Sequence, residues 1–319
     1  MPQPQLEDVL AARQRIASLV EQTPLVRTVI RGRDYWLKCE CLQTGGAFKL
    51  RGATNRLLLL SPEERELGVV AFSSGNHARG VAIAARRLGM TAIIVMPGDA
   101  PAVKVEGTRS EGADIRFYDR RSGNREAISA EIAAETGATV VPSFDDPAIV
   151  SGQGTVGLEI LDQLAVAGAQ APPMIVVPCG GGGLASGIAL ACAQAAIVAV
   201  EPAGWDDMAR SLELGEIVPV ADDAPPTLCD ALQTPRVSPI TFAILKERAA
   251  RVVAVSDADV ETAIRFAWDE HQLVVEPGGA VALAAVLSGQ VDAPEGSVIV
   301  LSGGNVDPAL HARIVEAQI

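Results

Sequence analysis

Short continuous apolar runs alternate with segments of helical spacing along the whole of this 319-residue chain. The runs predict buried strands, and apolar residues three and four positions apart predict helices that pack on them. Strands are predicted at 35–40, 67–72, 91–96, 114–117, 139–141, 174–178, 197–200, 252–255 and 297–301. Helices are predicted at 6–21, 48–60, 78–88, 102–111, 124–136, 147–164 and 185–195. This alternation is typical of parallel β-α-β units, so the pattern predicts an α/β fold.

The segment 68–145 contains a complete set of such units, and we predict that it forms a small domain. The small domain is inserted into a larger one, which is made of residues 1–67 and 146–319. A cleft between two domains is a common place for a small-molecule site, so the ligand site is expected there.

Composition and charge exclude several classes of partner. The net charge of −13, with a pI near 4.7, opposes binding to nucleic acid or to an anionic membrane, and aromatic residues make up only 3%. No apolar run is long enough to cross a bilayer, and the start of the chain lacks the pattern of a secretory signal. Five irregularly spaced cysteines suggest neither a zinc site nor a disulfide framework. We therefore expect a cytoplasmic protein.

One lysine stands out by its surroundings. The chain has only four lysines, and Lys49 alone lies among glycines and small residues, just before a predicted helix. A lysine amine forms an imine with an aldehyde only after it loses its proton, and a partly desolvated site favours that loss. The alternative is an ordinary surface lysine that follows a turn.

Three further loops lie at the predicted ends of parallel strands, where ligands gather in α/β sheets. The glycines at 180–183 precede a helix and can form a cradle for phosphate, although a plain tight turn is the alternative. The loop at 73–77, Ser-Ser-Gly-Asn-His, can bind a carboxylate or can simply cap a helix. The loop at 302–305, Ser-Gly-Gly-Asn, ends the last predicted strand.

Together, these features predict a site for a phosphorylated aldehyde cofactor and an amino acid, and pyridoxal phosphate fits that description. A dinucleotide-dependent oxidoreductase would need a G-x-G-x-x-G turn with an acidic residue about 20 positions later, and that pair is missing. A binding protein that has lost catalysis is the other alternative, and the presence of Lys49 argues against it.

The sequence closely resembles the fold type II pyridoxal-phosphate enzymes, and specifically the serine/threonine dehydratase and serine racemase family. The matching motifs, in the family's order, are AFKLRGA (47–53), SSGNHA (73–78), SGQGT (151–155), GGGGL (180–184), EPAGWDD (201–207) and SGGN (302–305). The resemblance implies a two-lobed fold like that of the tryptophan synthase β chain, with parallel and mixed sheets flanked by helices. It also implies a homodimer.

The resemblance also implies roles for individual residues. Lys49 would form the imine with the cofactor and then act as the general base, and Ser74 would be a second acid/base on the opposite face of the substrate. The other implied cofactor contacts are Phe48 near the ring, Asn76 on the phenolic oxygen, Gly180, Gly181, Gly182, Gly183 and Leu184 on the phosphate, and Ser302 on the pyridine nitrogen. Ser73, Ser74 and His77 would hold the substrate carboxylate.

The implied reaction is β-elimination of L-threonine or L-serine to a 2-oxo acid and ammonia. A hydroxyl at the pyridine nitrogen does not stabilise a protonated ring, which favours prompt elimination. The alternatives are a serine racemase or a 3-hydroxyaspartate dehydratase on the same scaffold. For the last of these, either Arg79, where many relatives have glutamine, or Arg125 could pair with the second carboxylate.

A metal site is also implied by the resemblance. Glu201 and Asp207, with the carbonyl of Trp205, match the family's divalent-cation ligands, and oxygen ligands of this kind suit Mg²⁺ or Ca²⁺. The alternative is a surface glutamate and an aspartate that caps a helix.

Overall fold

The computed structural model describes residues 3–100, 102–119 and 123–317. The strands of this part of the chain are β1 Leu25–Ile30, β2 Arg33–Cys39, β3 Val69–Phe72, β4 Ala92–Pro97, β5 Asp114–Tyr118, β6 Thr139–Val140, β7 Met174–Pro178, β8 Ala196–Pro202, β9 Arg251–Val255 and β10 Val298–Leu301. The helices are α1 Leu6–Ile16, α2 Lys49–Leu58, α3 Pro62–Leu67, α4 Asn76–Arg87, α5 Ala102–Arg109, α6 Arg125–Thr136, α7 Pro147–Val166, α8 Gly183–Ala191, α9 Asp207–Leu214, α10 Pro239–Glu247, α11 Asp257–His271, α12 Pro277–Ser288 and α13 Pro308–Glu316.

The described strands form two sheets, which confirms the predicted α/β fold. A four-stranded parallel sheet has the order β5-β4-β3-β6, and its strands come from the middle of the chain. A six-stranded sheet has the order β1-β2-β10-β7-β8-β9, in which β1 and β2 run antiparallel and the other described pairs run parallel. Helices flank both sheets. The domain boundaries at residues 67/68 and 145/146 stay a prediction.

The parallel arrangement brings the predicted loops together. The segment after β3 leads into α4, the glycine loop after β7 leads into α8, and Ser302 follows β10. The loop before α2 joins them, because Ala47 forms a β-bridge with Gly303 and the Phe48 amide donates to the Ser302 carbonyl at 3.2 Å. The site is therefore built at the carboxyl ends of strands from both sheets.

Three helices behind the site pack at very short distance. Helix α7 packs against both α2 and α8. A Cβ atom on Gly152 of α7 would lie 2.6 Å from the Cα of Gly52 in α2, and a Cβ on Gly187 of α8 would lie 2.5 Å from the amide nitrogen of Gly154 in α7. Only glycine fits at these crossings, so the three backbones are in direct contact.

A group of buried charges, here called the ion-pair cluster, ties α2 to the rest of the fold. It consists of Lys38, Glu40, Arg51 and Glu159, and both cations are fully buried. The Arg51 guanidinium donates to both oxygens of Glu40 at 2.8 and 2.9 Å and to both oxygens of Glu159 at 2.6 and 2.8 Å. The Lys38 ammonium donates to Glu159, to the Thr23 carbonyl and to Gln163. Through Arg51, this cluster holds the first turn of α2, the helix that begins with Lys49.

Within the described part of the chain, no helix is both long and apolar enough to span a lipid bilayer. All five cysteines are buried and form no disulfide.

Candidate active site

A cavity of about 410 Å³ lies where these loops meet, and it is lined by residues from both sheets. This volume is sufficient for a small cofactor and a substrate. The predicted residues that line it are Phe48, Lys49, Ser73, Ser74, Asn76, His77, Gly180, Gly181, Gly182, Gly183, Leu184, Trp205 and Ser302. The predicted metal ligands Glu201 and Asp207 lie outside its walls.

Lys49 is the first residue of α2, and its side chain reaches into the cavity. Its ammonium donates to the Ser143 carbonyl at 3.1 Å and lies 5.1 Å from the centre of the Phe48 ring. Burial lowers the pKa of Lys49 to about 8, although the nearby charge of Glu276 acts in the opposite direction. A useful fraction of the amine is therefore unprotonated near neutral pH, as a nucleophile or base requires.

The glycine loop supplies unpaired backbone donors. Within the described part of the chain, none of the amides from Gly180 to Leu184 donates to a backbone carbonyl. Gly182 has a φ of 84°, a left-handed conformation that suits glycine, and the loop opens the N-terminus of α8. Converging amides at a helix N-terminus form an anion site, so this loop fits the phosphate of pyridoxal phosphate.

The Ser-Ser-Gly-Asn-His loop supplies polar groups at the N-terminus of α4. Ser73 and Ser74 are half-buried in the cavity wall, and Ser73 Oγ accepts the Gly75 amide at 3.2 Å. His77 is buried, its Nε2 lies 3.0 Å from the Val141 carbonyl, and its Nδ1 has no hydrogen-bond partner among the described residues. Burial, aided by Lys49, lowers the pKa of His77 to about 3. His77 is therefore neutral, with Nε2 protonated and Nδ1 free to accept.

Several wall residues were missed by sequence reasoning. Glu276 is buried in the cavity wall and accepts a hydrogen bond from the Asn76 amide. Lys104 of α5 lines the cavity and forms an ion pair with Asp230, another residue of the cavity wall. Phe144 covers the glycine loop, since a Cβ on Gly181 would lie 2.3 Å from its ring. Lys104 is one of only four lysines, a signal that could have drawn attention to it, whereas no local signal marks Glu276.

The two arginines considered for a second carboxylate are in different places. Arg79 does not line the main cavity, and its guanidinium donates to Asn305 at 3.0 Å. Arg125, the first residue of α6, lines the cavity with its guanidinium 5.6 Å from the centre of the Phe72 ring. Among the described residues, Arg125 has no acidic partner.

The predicted metal ligands form a separate buried acidic pair. Glu201 accepts the amides of Met208 and Ala209, both at 3.0 Å, and Asp207 Oδ2 is buried without a hydrogen-bond partner from the described residues. Burial raises the pKa of Glu201, and the charge of Asp207 adds to that effect. Burial also raises the pKa of Asp207 to about 7. In the described chain, no group of three or more His, Cys, Asp or Glu side chains could hold a metal ion.

The chain is similar to known proteins along nearly its whole length. Residues 16–303 match the family described as "Pyridoxal-phosphate dependent enzyme". The chain is 41% identical to an L-threo-3-hydroxyaspartate ammonia-lyase from a Pseudomonas species, over 97% of this chain and 98% of the relative. It superposes on maize serine racemase with a TM-score of 0.91 at 36% identity, over 97% and 96% of the two chains.

An L-threonine ammonia-lyase from Thermotoga maritima is similar to a comparable degree. It is 38% identical, over 97% of this chain and 78% of the relative. The cofactor is pyridoxal 5'-phosphate, and the loops described above fit it. The chain therefore belongs to the pyridoxal-phosphate dependent enzymes, in the fold type II group of serine racemases, threonine deaminases and hydroxyaspartate ammonia-lyases.

Proposed function

We propose that this enzyme is an ammonia-lyase that acts on 3-hydroxyaspartate. It would convert this substrate to oxaloacetate and ammonia, with loss and regain of one water molecule. The observation that carries the proposal is Arg125, a guanidinium that lines the cavity without an acidic partner among the described residues. The Pseudomonas relative, named as a hydroxyaspartate ammonia-lyase, supports the same substrate. This interpretation replaces the threonine or serine substrate favoured by the sequence.

The cofactor would be held by residues whose free hydrogen-bonding groups face the cavity. The amides from Gly180 to Leu184 would bind its phosphate, the Asn76 amide its phenolic oxygen, and Ser302 its pyridine nitrogen. Phe48 would pack near the ring, and Lys49 would bond to the aldehyde. When bound, the cofactor supplies an electron sink for the carbon that loses its proton.

The protein groups would then divide the work on the substrate. Lys49, with its pKa lowered by burial, would remove the α-proton at Nζ. Ser73 and Ser74 through their hydroxyls, and His77 through its backbone amide in the first turn of α4, would bind the α-carboxylate. Arg125 would bind the β-carboxylate through its two parallel N–H donors.

Serine racemisation is the second candidate. Ser74 lines the cavity beside the loop that would hold the substrate, so a hydroxyl is available as a second acid/base. The likeness to maize serine racemase supports this candidate. Racemisation and elimination share the first proton removal, so one protein can perform both.

The first experiment compares oxo-acid release from cofactor-loaded protein supplied with L-threo-3-hydroxyaspartate, L-serine or L-threonine. We expect hydroxyaspartate to give the highest kcat/KM. Arg125→Gln should lower kcat/KM for hydroxyaspartate by about 10- to 100-fold, because a hydrogen-bonded charge pair is lost, and should leave serine nearly unchanged. Arg116→Gln, at an exposed position on β5, is the matched control. A preference for serine or threonine, or an equal loss for all substrates, would contradict the proposal.

We also propose that Glu201, Asp207 and the carbonyl of Trp205 bind a divalent cation that stabilises the fold. The unpartnered oxygen of Asp207 and the two buried carboxylates fit a hard cation. Magnesium should therefore raise the melting temperature, and Asp207→Asn should remove that effect. An unchanged melting temperature after treatment of the wild type with EDTA and then magnesium would count against the site. The homodimer and the cytoplasmic location stay predictions.

A further inference from the structure

Glu276 is a buried acid in the cavity wall for which the proposed reaction has no use. It lies at the N-cap position of α12, but its side chain makes no hydrogen bond that caps that helix. Its Oε1 instead accepts a hydrogen bond from Nδ2 of Asn76, the residue that begins α4 beside the other sheet. Burial of a charged carboxylate is costly unless it has a hydrogen-bond partner. The Asn76 amide is therefore a partner that Glu276 needs in this position.

The contacts of Asn76 fix which way its amide points. Asn76 Oδ1 accepts a hydrogen bond from Asn305 Nδ2 at 2.8 Å, and Asn76 Nδ2 donates to Glu276. The reversed amide would place its oxygen against the carboxylate and its nitrogen against another NH₂ group, so it is excluded. Asn305 is itself oriented, because its Nδ2 also donates to the Gly45 carbonyl and its Oδ1 accepts from Arg79. One Asn76 hydrogen remains for a ligand in the cavity.

The backbone near Glu276 leaves room for this contact. A Cβ atom on Gly303 would lie 2.0 Å from Glu276 Oε1 and 3.1 Å from Asn76 Nδ2. The Glu276 amide donates to the Gly303 carbonyl at 3.0 Å, so the two segments are held together at this point. Any side chain at residue 303 would displace the carboxylate from Asn76.

Charged groups from several elements face Glu276. Burial raises its pKa to about 7, while Lys104 and Lys49 favour its charged form and Asp230 opposes it. Burial raises the pKa of the nearby Cys229 thiol, and the charge of Glu276 adds to that effect. In return, the charge of Glu276 raises the pKa of Lys49 against the larger effect of burial.

We propose that Glu276 is a positioning residue: it orients Asn76 toward the cofactor and places an ionisable carboxyl group beside Lys49. The proposal rests on the role of Asn76 in the proposed function, but it does not depend on which amino acid is the substrate. It makes Glu276 responsible for two separable effects, one of geometry and one of charge.

Two substitutions separate these effects. Glu276→Gln keeps an oxygen that can accept the Asn76 amide but removes the charge, whereas Glu276→Ala removes both. Titration of the apoprotein with pyridoxal phosphate should show about tenfold weaker binding for the alanine variant and less than about threefold for the glutamine variant. The pH midpoint of the lysine–cofactor absorbance band should fall by about half to one pH unit in the glutamine variant, because Lys49 loses a neighbouring negative charge.

Gly303→Ala tests the same contact from the other side, and its cofactor affinity should match that of Glu276→Ala. Glu270→Gln, at an exposed position on α11, is the control, and melting curves show whether each variant folds. Unchanged cofactor affinity in the folded alanine variant, or an unchanged pH midpoint in the glutamine variant, would overturn the proposal. No amino acid is present in these titrations, so their outcome is independent of the substrate test of Arg125.

Discussion

The ion-pair cluster and the active-site cavity both bury charged groups, but they treat those groups differently. In the cluster, both oxygens of Glu40 and both oxygens of Glu159 accept hydrogen bonds from Arg51. In the cavity, the described residues offer Lys49 a single carbonyl acceptor and His77 Nδ1 no partner. Burial is common to both regions, so the number of partners decides whether a buried charge holds the fold or stays available for chemistry.

The pKa of Glu40 follows the same division, whereas the pKa of Lys38 does not. Burial opposes the charged form of Glu40, but Arg51 outweighs it and the pKa of Glu40 is lowered. Burial also lowers the pKa of Lys38, yet each of its three protons has an acceptor. In the cavity, burial is not outweighed: it lowers the pKa of Lys49 to about 8 and raises that of Glu276 to about 7. Both of these groups therefore titrate near neutral pH.

The largest effect on the cavity side is expected from Lys49→Ala. Turnover should fall by at least about 10⁴-fold and the lysine–cofactor band should disappear, because both the aldehyde partner and the base are lost. The melting temperature should change little, since Lys49 donates one hydrogen bond to the described residues. Lys246→Ala, on the surface helix α10, should keep full activity. If the Lys49→Ala variant still catalysed elimination, Lys49 would not be the general base.

On the cluster side, Arg51→Ala should reduce the free energy of unfolding by about 3–5 kcal/mol, because Glu40 remains buried without its cation. Urea unfolding of the cofactor-free protein measures this loss without interference from the ligand. A decrease of less than about 1 kcal/mol in the free energy of unfolding would mean that the cluster does not hold the first turn of α2 in place.

The neutral state of buried His77 predicts a stability that depends on pH. The folded pKa of about 3 lies below the ordinary value, so His77 favours folding above pH 6.5 and this contribution is lost as the pH falls toward 3. Between pH 6 and 5 the wild type should lose about 1 kcal/mol more than His77→Gln. Urea unfolding of both proteins across this range gives the difference. Parallel pH profiles would show that His77 is not held neutral.

The smallest effect is expected for an exposed ion pair. Arg13 donates to Asp162 at 2.9 Å, and the two side chains are 42% and 58% exposed. Arg13→Ala should cost about 0–1 kcal/mol in the free energy of unfolding, because water screens the pair. A cost similar to that of Arg51→Ala would mean that burial does not distinguish the two pairs.

Most strands were predictable because parallel strands buried on both faces give continuous apolar runs. The edge strand β1, Leu25–Ile30, was missed because Arg27 and Thr28 interrupt its apolar pattern. Helix α12 was missed for the opposite reason. Nearly all of its residues are buried, so no polar face reveals the helical period. Helix α1 was predicted to reach residue 21 but ends at Ile16.

The site was predictable wherever its residues are contiguous in sequence, as in the glycine loop and the Ser-Ser-Gly-Asn-His loop. Glu276 and Asn76 are 200 positions apart, and Lys104 and Asp230 are 126 apart. These contacts exist only after the two sheets are placed side by side, and a single sequence contains no local pattern for them. For the same reason, only the structure could separate Arg125, which lines the cavity, from Arg79, which does not.

The glycine crossings of α7 with α2 and α8 have a consequence for cofactor selectivity. Lys49 begins α2 and the phosphate loop opens α8, so the span between aldehyde and phosphate sites depends on backbones in direct contact. Side-chain rotation cannot lengthen or shorten that span. The enzyme should therefore reject an analogue whose phosphate arm is one bond longer or shorter, even though every group that touches the analogue is unchanged. Discrimination by cofactor length would then depend on four glycines that do not line the cavity.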